Sequence, residues 1–99
     1  MSFLTAQPDA LAAAADNLGS IGAALSAGNA AAAAPTTGVL PPAADEVSAL
    51  VAAQFATHAA MFQSVSAKAA AIHEQFVATL ATSAGSYAAT EAANVVAAQ

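Results

Sequence analysis

About a third of the 99 residues are alanine, and no other feature limits the fold as much. Alanine is the strongest helix former because its side chain has no rotamer entropy to lose. It is a poor core filler because it offers a single methyl. Such a chain makes helices readily and interiors badly. Apolar residues reach 59% and mean hydropathy is +0.63, yet with alanine set aside only 23 large apolar side chains (Val, Leu, Ile, Met, Phe, Tyr) are left. The expected class is all-α, in a single domain over residues 1–99.

Charge removes several function classes. Six acids stand against one base, for a net charge of −5. Nothing is present to neutralise phosphates, so nucleic-acid binding is not expected. The same scarcity argues against docking on anionic lipid through a basic helix face. With no cysteine there is no disulfide framework, thiolate metal site or thiol nucleophile. Met1-Ser2-Phe3-Leu4-Thr5 lacks the cationic start and continuous apolar run of a signal peptide. The uncharged stretch from Asn17 to Ala44 has the length to span a bilayer, but its Gly, Ser and Pro residues make insertion unfavourable. No stable transmembrane segment is expected.

Proline divides the chain. Pro8 suits a first helical position, and Asp9 places a negative charge on the first turn, beside free N–H groups. Pro35 disfavours helix at Ala34, so the first helix is expected over about 8–34. A Pro-rich loop follows over about 35–42. Pro42 repeats the start signal, with Asp45 and Glu46 behind it, and the second helix is expected over about 42–84, up to the breaker Gly85. Residues 85–99 are left as a tail.

Helical period marks one stripe on each helix. Leu11, Ala14, Leu18, Ile21 and Leu25 follow three- and four-residue steps on the first. Val51, Phe55, His58, Phe62, Val65, Ala69, Ile72, Phe76 and Leu80 do so on the second, widened by Leu50, Met61 and Val77. Two such helices on a short loop read as an antiparallel two-helix hairpin. A tight reversal at the loop brings Lys68 level with Asp9 and leaves about Ala70–Leu80 overhanging, with Ile72, Phe76, Val77 and Leu80 unpartnered. A hairpin encloses no interior for its outer faces, so the remaining apolar surface calls for a partner chain.

Chemistry is sparse. His73-Glu74 resembles the start of a His-Glu-x-x-His zinc motif, but position 77 is Val. His73 reads as a solvated flank residue and His58 as a packed interfacial histidine. Asp45 and Glu46 point about 100° apart on a helix and read as charges favourable to its N-terminus. No nucleophile elbow or phosphate-cradling loop is visible. No catalytic activity, cofactor or metal is expected. Tyr87 and Glu91 remain, four residues apart, on one face if that segment is helical.

The opening Met-Ser-Phe, the helix start at Pro8 and the Ala-rich Asn29–Ala34 before Pro35-Thr36-Thr37 resemble the PE family of mycobacteria. So do Pro41-Pro42-Ala43-Ala44-Asp45-Glu46-Val47-Ser48 and Ser86-Tyr87-Ala88-Ala89-Thr90-Glu91. The resemblance covers essentially the whole chain. At the family's name-giving Pro-Glu this chain has Pro8-Asp9, which keeps the acid and shortens it. The resemblance implies a hairpin that completes a four-helix bundle with a PPE-type partner. It also implies export of the pair by type VII secretion to the cell surface, envelope or medium, with the export chaperone bound through the PPE partner. The family's Tyr-x-x-x-Asp/Glu secretion signal maps onto Tyr87 and Glu91. Phe55, Phe62, Ile72 and Phe76 are the expected anchors of the partner contact, with Met61, Val65, Val77 and Leu80 beside them. Leu11, Leu18, Ile21 and Leu25 are expected to tie the first helix to the second and to the partner. The alternative is a membrane-associated permeability or pore component acting with that partner.

Overall fold

The computed structural model describes residues 5–99; the Met1-Ser2-Phe3 opening lies outside them. Two helices account for most of the chain, α1 (Pro8–Thr37) and α2 (Glu46–Ala97), and the described residues contain no strand. This is an all-helical protein consistent with a helical hairpin. It divides into two compact units. The loop unit is Ala23–Ile72, and the terminal unit joins residues up to Gly22 with His73–Gln99.

Each helix end has an identifiable cause. The carbonyl of Gln7 accepts from the amides of Ala10 and Leu11, opening α1 immediately before Pro8, whose missing N–H is no loss at a first helical position. The expected stop at Ala34 is not observed, and α1 carries Pro35 inside its last turn. The Thr36 hydroxyl donates to the Ala32 carbonyl and the Thr37 hydroxyl to that of Ala33, both at 2.6 Å. These hydroxyls bond back onto carbonyls four residues earlier, and the end carbonyl of Ala34 accepts from the Gly38 amide at 3.0 Å.

The second helix starts at Glu46 rather than Pro42. Asp45 decides this as its N-cap, accepting from the Ser48 amide at 2.9 Å and from the Ser48 hydroxyl at 2.7 Å. At the other end α2 passes Gly85 and runs on to Ala97, so the segment expected as a tail beyond the breaker is helix. Glycine in a helix interior costs only about 1 kcal/mol relative to alanine. No described glycine adopts a positive φ, and the helix formers on either side outweigh one unfavourable residue.

Within the terminal unit the helices meet through Pro8, Leu11, Ala15, Leu18 and Gly22 on α1 and His73, Val77, Leu80 and Ala84 on α2. Ala15 and Ala84 are buried and the others half-buried. Within the loop unit Asn29, Ala32 and Ala33 turn toward the side of α2 that carries Ala52, Ala56, Ala59, Gln63, Ser66 and Ala70. The α2 positions step by three and four residues, as a coiled-coil seam requires. The residues filling it are mostly small, and no large side chain among those described is fully buried.

The expected register is overturned. In the terminal unit the Leu18 carbonyl lies 2.7 Å from His73 Nε2, and a Cβ on Gly19 would lie 3.9 Å from Val77 Cγ1. Asp9, nine residues earlier on α1, is therefore level with α2 residues in the eighties rather than with Lys68. Val77 and Leu80 pack against their own chain instead of overhanging it. In the loop unit Pro35 and Thr36 stand beside Phe55 and Ala59. The first turns of α2 extend roughly 13 Å beyond that level, and residues 38–45 span the distance instead of reversing tightly.

Candidate functional site

The outward side of α2 is where the large apolar residues collect. In the loop unit Val51, Phe55, Met61, Phe62, Val65 and Ile72 are all exposed, Phe55 at 62% and Ile72 at 67%. In the terminal unit Phe76 is 56% exposed one residue from half-buried Val77. Of the four α1 residues expected to tie the helices together, Leu11 and Leu18 are half-buried in the seam. Ile21 and Leu25 are exposed, because the seam passes through Gly22 instead.

Phe55 and Phe62 also line an open groove of about 340 Å³ in the loop unit, with Ala32, Pro35, Val39, His58 and Gln63. A second groove of about 430 Å³ adjoins Leu50, Val51, Gln54, Phe55 and His58. Both are walled mainly by hydrocarbon. His58, expected as a packed interfacial histidine, stands exposed on this apolar surface.

Tyr87 and Glu91 lie one helical turn apart on α2, Tyr87 exposed and Glu91 half-buried. The Thr90 hydroxyl donates to the Ser86 carbonyl at 3.0 Å beside them. At the start of α1, Pro8 is half-buried and Asp9 exposed, its carboxylate in the first turn where the helix dipole favours it. Among the described residues, no three His, Asp or Glu side chains converge as a metal-binding group, and no helix is long and apolar enough to cross a membrane. The Asp45 carboxyl is held below its ordinary range, first by the Ser48 hydroxyl and then by the Ser48 amide.

Two polar side chains were missed in the sequence as links between the helices. His73, expected as a solvated flank, is half-buried and donates from Nε2 to the Leu18 carbonyl. A carbonyl can only accept, so Nε2 carries the proton. Gln63 Nε2 donates to the Asn29 carbonyl at 3.0 Å in the loop unit. The signal that could have found them is the three-and-four spacing shared with the alanines. The spacing of the larger residues obscured it.

Residues 4–94 match the model of the PE family. The chain belongs to the PE family. It is 76% identical over 98 residues to PE13 of Mycobacterium tuberculosis, covering 99% of each chain. It is 57% identical over 94 residues to PE8 and to PE_PGRS33 of the same species, in both cases over 95% of this chain. Its length matches that of PE13, whereas it spans only 34% of PE8 and 20% of PE_PGRS33. These relatives are named for their family and not for a reaction.

Proposed function

We propose that this PE protein is a non-catalytic subunit that pairs with a PPE-family protein in a four-helix bundle. The pair is exported by a mycobacterial type VII secretion system to the envelope or the medium. The observation carrying this reading is that α2 turns its largest apolar side chains outward while a seam of mostly small residues faces α1. Exposed Phe55, Phe62, Ile72 and Phe76 supply the kind of aromatic and aliphatic anchors that protein interfaces are built on. Membership of the PE family, over nearly the whole chain, supports the choice of partner. Tyr87 and Glu91 carry the secretion signal in this reading, and their placement one turn apart on α2 suits recognition as a unit. The export chaperone is engaged through the partner.

Co-expression with candidate PPE proteins in a mycobacterial host tests both halves. Phe62→Ala and Phe76→Ala each weaken co-purification of the pair, a fully buried Phe being worth about 3–5 kcal/mol. Tyr87→Ala leaves pairing intact and abolishes appearance in the culture filtrate. Undiminished pairing by both Phe variants removes them as anchors, and normal export of the Tyr87 variant removes the signal.

A further inference from the structure

We infer that His73, reaching the Leu18 carbonyl through the gap at Gly22, is a key that fixes the rotational setting of α2 in the terminal unit and thereby holds Phe76 outward. In an α-helix the carbonyl of residue 18 already accepts from the amide of residue 22. The side chain of residue 22 then stands beside that carbonyl and obstructs a second donor. Gly22 has no side chain. A Cβ built there would lie 2.7 Å from His73 Cδ2 and 2.8 Å from Nε2, so the imidazole occupies the space that a methyl would take. Nε2 completes the contact at 2.7 Å.

The need for a key follows from what surrounds it. Phe76 lies three residues from His73, only about 60° around the helix. Rolling α2 by that angle would carry Phe76 toward α1 and turn His73 and half-buried Val77 away from it, exchanging a valine for the larger phenylalanine, the direction hydrophobic burial favours. Small residues such as Ala15 and Ala84 in the seam offer little shape to resist such a roll. The imidazole opposes it, because a roll must withdraw the ring from the notch at Gly22 and give up its bond to the Leu18 carbonyl. Gln63 shows that an amide can reach a carbonyl of α1 in the loop unit, so an amide at position 73 is the conservative replacement. The inference is independent of the identity of any partner chain.

Because the chain has no cysteine, an engineered pair reports the setting directly. In the full chain, Gly19→Cys with Val77→Cys keeps Phe76 and pairs positions that face each other in the present setting and part on rolling. Oxidative cross-linking followed by mass spectrometry of the monomer gives the ratio of linked to unlinked chain. The linked form is expected to predominate. His73→Ala and Gly22→Ala each lower the ratio severalfold, while His73→Gln preserves it. Gly28→Ala, where an added Cβ meets nothing within 4 Å, leaves the ratio unchanged. Gly22→Ala raises intrinsic helix propensity, so its effect does not arise from a weaker helix. An unchanged ratio in either His73→Ala or Gly22→Ala overturns the inference.

Discussion

Asp45 sets the start of α2 with both carboxylate oxygens, one accepting from the Ser48 amide and the other from its hydroxyl. These bonds favour the ionised form, so the carboxyl is held below its ordinary 3.8 in the folded chain. Protonation therefore favours the unfolded state. The stabilisation is fully present above the ordinary value and is lost as pH falls through the depressed folded one. Asp45→Asn tests the sign. The native chain is expected to melt higher than the variant at neutral pH, with the difference closing as pH is lowered to about 2. A difference independent of pH would show that the carboxylate charge has no part in the cap. Asp45 was legible in the sequence as a charge near a helix start, but its role as the cap was not. Two prolines just upstream drew the expected boundary to Pro42.

The helices themselves follow from alanine content and proline spacing, and their seam follows from residue size. Ala15 and Ala84 are buried because α1 and α2 approach closely there within the terminal unit. Small side chains allow separations toward the lower end of the usual 8–10 Å between helix axes. Enlarging a seam residue therefore forces the helices apart. Ala15→Leu is expected to destabilise by about 1–3 kcal/mol through overpacking. Its exposed neighbour Ala14→Leu should stay within about 0.5 kcal/mol. Thermal or denaturant unfolding of both variants, in the assembly in which the chain purifies, checks the pair. Equal effects would mean that position 15 is not enclosed. The period of each helix was readable, but two three-and-four series coexist on α2, one large and one small. Hydrophobicity pointed to the large series for contact with α1. The small one faces α1, and Gln63 and His73 reach backbone carbonyls of α1 from it.

For the molecule as a whole, burial is the deciding quantity. No large side chain is fully buried among the described residues, and three of the four phenylalanines stand more than half exposed on α2. Such a chain gains little from folding alone relative to the conformational entropy that ordering costs. The purified chain without a partner is expected to be oligomeric or partly unfolded by light scattering, and to melt without a sharp transition. A monodisperse monomer with a cooperative transition would show that its own contacts suffice.

Composition and punctuation alone determined that the chain is helical, that it has two long helices and that it is short of core-forming residues, since each follows from local preference. The PE motifs carried the family, because they recur along nearly the whole length. Tertiary structure alone decided the register that brings Leu18 to His73 and the face that α2 turns toward α1. A seam of small residues fits many registers and settings almost equally well, and the hydrogen bonds that choose among them join residues tens of positions apart, which no local pattern encodes.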